Sequence, residues 1–162
     1  MINGVVAVEK SRGIGLNGQL PWPRIEEDMR FFRALTLGHV VVMGSATWKS
    51  LGKPLAGRIN VVLSNTTDYS GDQAADHTFS NIGTALAFCQ NEYPGKEIFI
   101  IGGESIYNQC MHQIQRFFVT ELEVDYQSDK FFNLDYVKNN FSRHNQLIRF
   151  DSPVPMTITE YL

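Results

Sequence analysis

One carboxylate in this sequence stands where a carboxylate is costly. From Arg24 the residues take up helical spacing, and at about 100° per residue Ile25, Met29, Phe32, Leu35 and Thr36 fall on one apolar stripe. Glu26, Glu27, Arg30 and Arg33 fall on the other side, where acids early in a helix simply complement its dipole. Asp28 lies on the stripe itself, beside Phe32 and Leu35. An ionised carboxylate facing a core needs a hydrogen-bonding or charged partner, and burial raises its pKa. That partner is either internal, a hydroxyl or an arginine of the same chain, or a bound ligand.

Other chemistry-bearing residues are read against plain structural roles. Gly13-Ile14-Gly15-Leu16-Asn17-Gly18 satisfies G-x-G-x-x-G and follows an apolar run, as a dinucleotide-binding loop does. That loop works only if a helix starts within it, and Pro21 and Pro23 stand where the helix would run. The better reading is a glycine-rich mobile loop that folds over something bound at the end of the first strand. Arg58, after Gly57, is either a solvated turn residue or a fork for a carboxylate. Cys89 and Cys110 form no C-x-x-C pair, and His39, His77, His112 and His144 are scattered without metal-ligand spacing. No metal site is expected.

The elements that must position these residues follow from periodicity. Ile2–Val8, 39–43, 60–63, 97–101 and 117–122 read as strands, with a further short one near Thr78-Phe79. Helices are expected from Arg24 to a stop at Gly38, briefly after Gly44, over 82–92 and over 105–112. Residues 65–81 are polar and turn-rich, a surface connection. Alternating strands and helices imply parallel pairing. The segments 144–150 and 156–162 flank Asp151-Ser152-Pro153-Val154-Pro155 and imply an antiparallel C-terminal pair. The fold expected is a single α/β domain over residues 1–162, its mixed, mostly parallel sheet flanked by helices on both faces.

Composition narrows the function. The 162 residues are 43% hydrophobic and 19% charged, enough for a core without metal or disulfide staples. A formal charge of −3 with no basic run argues against nucleic acid or an anionic membrane as partner. No apolar run approaches the about 18 residues of a membrane span, and the amino terminus lacks the features of a signal peptide. A soluble, cytoplasmic monomer is expected.

At this point the chain resembles dihydrofolate reductase along nearly its whole length. The resemblance is carried by Ile14-Gly15-Leu16-Asn17-Gly18-Gln19-Leu20-Pro21-Trp22, by Asp28 six residues after the tryptophan, and by Phe32 four further on. It continues through Val42-Met43-Gly44 to Thr47-Trp48, through Pro54-Leu55-Ala56-Gly57-Arg58-Ile59-Asn60, and through Ile101-Gly102-Gly103 to Ile106-Tyr107. Thr120 and Asp129 also fall where that family has a threonine and an acid.

The resemblance implies reduction of 7,8-dihydrofolate to tetrahydrofolate, with hydride from NADPH reaching C6 of the pterin and a proton reaching N5. Asp28, Leu20, Trp22 and Thr120 would be the catalytic set. Asp28 would accept from the pterin's 2-amino group and ring N–H, with Thr120 holding the carboxylate and a water admitted beneath Leu20 protonating N5. Val6, Ala7, Met29, Phe32, Ser50 and Leu51 would line the folate pocket together with Leu55 and Ile101, and Arg58 would take the α-carboxylate of the glutamate tail. Ala7, Ile14 and Leu20 would surround the nicotinamide, and Gly15, Asn17 and Gly18 of the glycine-rich loop would also bind the cofactor. Gly44, Ser45, Ala46 and Thr47, with Leu63, Ser64 and Asn65, would hold the rest of the cofactor. Ile101, Gly102, Gly103, Glu104, Ser105, Ile106 and Tyr107 would complete that site, with a cis Gly102-Gly103 peptide.

Four departures bear on the cofactor. Ser45 stands where many relatives have arginine, Asn65 where they have a basic or hydroxyl side chain, and Ser105 replaces a frequent arginine. Lys49, Lys53 or His77 would have to supply the missing charge toward a 2′-phosphate. Glu104 occupies the place of a third glycine and is expected to face away from the pyrophosphate. Two alternatives remain open: a reductase of the same fold acting on another pterin-like or pyrimidine intermediate, as in riboflavin biosynthesis, and a nucleotide- or folate-binding protein without turnover.

Overall fold

The computed structural model describes residues 1–71 and 74–162. Asp72 and Gln73, inside the expected surface connection 65–81, lie outside the described residues. Among the described residues, ten strands and five α-helices follow one another. β1 (Ile2–Val8) and β2 (Gly13–Gly15) precede α1 (Glu26–Thr36), and β3 (Val40–Gly44) runs directly into α2 (Ser45–Leu51). Next come β4 (Ile59–Leu63), β5 (His77–Phe79), α3 (Ile82–Glu92), β6 (Ile98–Gly102) and α4 (Glu104–Cys110). A 3₁₀ turn at Met111–Gln113 leads to β7 (Arg116–Leu122), then β8 (Lys130–Phe131), α5 (Leu134–Asn140), β9 (His144–Phe150) and β10 (Met156–Tyr161).

Eight strands form one sheet in the order β5-β4-β3-β6-β1-β7-β10-β9. The six from β5 to β7 pair in parallel, and β10 pairs antiparallel with both β7 and β9. Side chains alternate across this sheet as the period of two requires. Val40 and Val42 join the core under α3, α4 and α5, whereas Val41 and Met43 join the core with Trp48 of α2 and Phe31 and Leu35 of α1. The apolar content of the sequence is thus spent on both faces, and the helices cover both. No helix is long and apolar enough to cross a membrane, among the described residues.

The expected α/β architecture and the antiparallel C-terminal pair are present. Local differences have local causes. His39 stays outside β3 because its N–H closes the turn after α1 on the Thr36 carbonyl at 3.0 Å, while its Nδ1 accepts the Glu97 N–H at 3.0 Å. The glycine-rich segment, expected as a loop, contains β2, which pairs with β8 in a separate two-stranded sheet. Neither strand is long enough to show periodicity. Helix α5 was not expected either; it is short, buries only Leu134 and Val137, and starts at Asn133, whose side chain accepts the Tyr136 N–H.

Candidate active site

Parallel strands end together, and the groove of this protein opens at the carboxyl ends of β1, β3, β4 and β6, where α1, α2 and α4 diverge. It encloses about 1030 Å³. β1 supplies Val6 and Ala7, and the strap from β2 to α1 supplies Ile14, Gly15, Gly18, Leu20 and Trp22. α1 contributes Asp28, Met29 and Phe32. The β3–α2 junction brings Gly44, Ser45, Ala46 and Thr47, followed by Ser50 and Leu51. Leu63, Ser64 and Asn65 come from the end of β4, and Thr120 from β7. Ile101, Gly102, Gly103, Glu104, Ser105, Ile106 and Tyr107 close the far wall. Most residues expected at a site are therefore gathered around one cavity.

Asp28 is the chemical centre of that cavity. Its Oδ1 accepts the Thr120 hydroxyl at 2.7 Å. Burial pushes its pKa above the ordinary aspartate value, while the Thr120 hydrogen bond opposes the shift. Among the described residues no cation of the chain pairs with it, so the internal partner is a hydroxyl and the second oxygen remains available. Trp22 is 5% exposed and leans on Tyr126, with ring centroids 6.1 Å apart, whereas Leu20 is 51% exposed at the groove mouth.

Three expected residues stand outside the groove wall. Leu55 packs into the core beside Trp48. Arg58 donates from Nε to the Ala56 carbonyl at 3.0 Å and from Nη1 to Thr36 Oγ1 at 3.2 Å, with its guanidinium 5.9 Å from the Phe32 ring centre. Burial and the neighbouring Arg33 charge both lower its pKa, and among the described residues it has no carboxylate partner. Asn17 turns its backbone N–H to an Asp129 carboxylate oxygen at 3.0 Å.

Other groove residues escaped the sequence reading. Phe31 lines the cavity and packs on Phe118 at 6.3 Å; it sits three positions after Asp28, the far edge of the same stripe, which was the available signal. Gln19 reaches across the mouth, where its Oε1 accepts the Ser50 hydroxyl at 3.3 Å. Lys130, which the sequence did not mark, and Asp129, marked only as an acid shared with the family and given no place at the site, enter because β8 pairs with β2, a long-range contact.

The Glu104 carboxylate accepts the Phe131 N–H at 2.6 Å and so is engaged with β8. His77 contacts the Tyr93 hydroxyl at 2.8 Å and packs edge-on against Phe88, away from the groove wall. Lys49 and Lys53 are exposed and are not among the groove residues either. α2 and α4 both start on glycine, Gly44 and Gly103, at the groove wall and without a side-chain cap, and the first N–H groups of a helix have no intrahelical partner. The Gly102-Gly103 peptide is cis. Backbone approach is close here: a Cβ on Gly44 would lie 3.0 Å from Ile106 Cγ1.

Residues 1–161 match the family model for dihydrofolate reductase. The chain belongs to the dihydrofolate reductase family. This is a family of oxidoreductases that use NADPH as cofactor and dihydrofolate as substrate. The chain is similar to a dihydrofolate reductase of Neisseria meningitidis serogroup A, 39% identical over 129 residues that cover 79% of this chain and 76% of that protein. A type 9 dihydrofolate reductase of Escherichia coli is 33% identical over 141 residues, 85% of this chain and 79% of its own length. The rat enzyme (Rattus norvegicus) is 34% identical over 146 residues, 81% and 78% respectively. At about 1030 Å³ the groove is large enough for more than one small ligand.

Proposed function

We propose that this groove is where the chain reduces 7,8-dihydrofolate to tetrahydrofolate, supporting one-carbon metabolism and thymidylate synthesis. The observation that carries the reading is Asp28: a carboxylate on an apolar wall, held at one oxygen by Thr120, unpaired with any cation of the described chain, and open to the cavity. Two carboxylate oxygens match the paired N–H donors on one edge of a pterin, and that two-point contact orients the ring. Phe31, Phe32, Met29 and Leu51 sandwich the flat heterocycle and its linker.

NADPH, when bound, supplies the hydride. Gly44 to Thr47 and Gly103 to Ser105 would hold its pyrophosphate by backbone N–H groups, Leu63 to Asn65 its adenosine half, and Ala7, Ile14 and Leu20 its nicotinamide. Leu20 and Trp22 shield the reacting edge from bulk water and admit a single water toward N5. Asp28 favours that proton transfer electrostatically. Arg58, reoriented from its Ala56 and Thr36 contacts, takes the glutamate α-carboxylate at the groove mouth.

The same reading makes the chain one domain over residues 1–162, a monomer, and a cytoplasmic protein; two buried, unpaired cysteines suit a reducing compartment. The deciding experiment mixes the protein with NADPH and 7,8-dihydrofolate and follows loss of reduced-nicotinamide absorbance. Turnover with dihydrofolate and none with a pyrimidine intermediate of the riboflavin type is the expected result. Tight binding of both ligands without turnover would make the chain a binding protein instead.

A further inference from the structure

Glu9, one residue beyond β1, is 1% exposed, and its two carboxylate oxygens serve two different segments. One oxygen accepts the Gly13 N–H at 2.8 Å, and the other accepts the Tyr126 N–H at 2.8 Å. Gly13 opens β2, which delivers Ile14 and Gly15 to the groove. Tyr126 belongs to the segment that runs into Asp129 and Lys130 on the adjoining wall, and its ring leans on Trp22. A carboxylate, with two acceptor oxygens and no donor, is the side chain that can satisfy two converging N–H groups at once.

The surroundings make this a joint rather than an isolated contact. Glu9 N–H donates to the Gly13 carbonyl at 3.0 Å, Lys10 N–H to the Val124 carbonyl at 3.1 Å, and Ser11 Oγ to the Asp125 carboxylate at 2.6 Å. No side chain fits between the two segments: a Cβ on Gly13 would collide with Ser128 Oγ and approach the Glu9 carboxyl carbon to 3.1 Å. Further along, the strap is held more sparsely, by Asp129 and by the 3.3 Å contact of Gln19 with Ser50, and Leu20 remains half exposed. The root of the strap is therefore held by a buried carboxyl group, whereas Leu20 near its tip stands exposed.

We propose that Glu9 is a positioning residue for hydride transfer, pinning the strap root and the 124–131 segment to one buried carboxyl group so that Ile14, Gly15 and Trp22 meet the reacting rings. The proposal rests on the function assigned to the groove. A shift of a fraction of an ångström at the strap root alters the approach of the reacting atoms, to which rate is more sensitive than binding.

The test is Glu9→Gln, whose amide presents a donor to one of the two N–H groups, measured by single-turnover hydride transfer, steady-state kcat and KM, and thermal melting. The hydride-transfer rate is expected to fall about tenfold while the KM for dihydrofolate stays within about twofold, a split that marks lost positioning. The deuterium isotope effect on kcat, measured with deuterated cofactor, should rise as chemistry becomes limiting. Gly13→Ala, which wedges the same joint apart while leaving the carboxyl group chemically intact, should reproduce both effects and decides the matter if Glu9→Gln does not fold.

Val137→Ala in α5, buried and outside the groove, is the control: it should lower the melting temperature and leave hydride transfer unchanged. Hydride transfer within about twofold of the parent in Glu9→Gln and Gly13→Ala, or an equal loss in Val137→Ala, overturns the proposal. An unsubstituted chain that cannot reduce dihydrofolate overturns the functional reading and this inference together; an active parent with unaffected variants overturns the inference alone.

Discussion

The Thr120 hydroxyl on β7 donates to Asp28 Oδ1 on α1 at 2.7 Å, joining the sheet to the helix across the floor of the groove. Two opposing influences act on that carboxylate. Burial raises its pKa and the hydrogen bond lowers it, with burial the larger. Between the ordinary aspartate value and the raised one, the folded chain binds a proton that the unfolded chain has released. Stability from this group is complete below the ordinary value and is lost as pH rises through the raised one. The melting temperature of Asp28→Asn relative to the parent should therefore climb as pH rises above the ordinary aspartate value in ligand-free protein. Thr120→Val, which removes the lowering influence, should extend the parent's loss to higher pH. Melting curves across that range check both, and a pH-independent difference between Asp28→Asn and the parent would contradict the assigned burial.

Asp28→Asn also tests the chemistry directly. The amide keeps the size of the side chain but offers one acceptor and one donor in place of two acceptors, so it cannot match paired N–H groups. Turnover at neutral pH should drop about 10²-fold or more, the usual scale for losing a group that acts through proton transfer. Cofactor affinity, read by fluorescence quenching, should stay nearly constant. Comparable losses in both quantities would move Asp28 from the reaction to general architecture.

Much of this was legible in the sequence because the relevant signals are local. The stripe on α1 exposes Asp28 as the odd residue, and Gly44 and Gly103 mark uncapped helix starts just after apolar runs. What the sequence hid is set by long-range pairing. β2 and β8 are too short for periodicity, so no local signal places Lys130 at the groove, and Asp129 was marked only through the family resemblance. The carboxyl group of Glu9 reads as an ordinary strand end until Tyr126, 117 positions away, is seen to donate to it. Phe31 lay within reach of the helical wheel, yet it sits on the edge of the stripe where aromatic core and ligand wall look alike.

Arg58 stands partly buried beside Phe32 with only neutral acceptors, Ala56 O and Thr36 Oγ1. A cation held this way is free to trade those acceptors for a carboxylate. Arg58→Leu should raise the KM for dihydrofolate about 10- to 100-fold, the equivalent of about 1.5–3 kcal/mol for hydrogen bonds to a charged group. A pterin substrate lacking the glutamate tail should be affected far less. Steady-state kinetics with the two substrates provide the comparison, and equal losses would contradict the assignment.

The turn that presents Arg58 depends on Asn60, which is 2% exposed. Its Oδ1 accepts the Leu55 N–H, and its Nδ2 donates to the Leu55 and Arg58 carbonyls, each at 3.0 Å. Asn60→Ala would leave that N–H and those carbonyls buried without the clamp. A loss of about 1–3 kcal/mol in unfolding free energy is expected for the unsatisfied groups, readable by urea titration. The KM for dihydrofolate should rise in the same direction as in Arg58→Leu. A destabilised variant with unchanged KM would show that the clamp holds β4 and not the arginine.

Cofactor choice turns on charge near Ser45. Among the described residues that line the groove, the cations are Arg24, paired with Glu26 at 2.6 Å, and Lys130 beside β2. The wall formed by Ser45, Ser64, Asn65 and Thr66 is neutral. His77, one of the groups that could have added charge, is occupied with Tyr93. A phosphate on the adenosine ribose would therefore meet hydroxyls and amides instead of a guanidinium, and discrimination between NADPH and NADH should be modest. Ser45→Arg should raise the NADPH/NADH ratio of kcat/KM about tenfold, mainly through the KM for NADPH, because a guanidinium bonds a phosphate through two parallel N–H groups. It should also make that KM climb more steeply with salt, since an exposed ionic contact is screened. Kinetics with both coenzymes at two ionic strengths provide the check; an unchanged ratio would mean that the hydroxyl-rich wall already reads the phosphate without a cation.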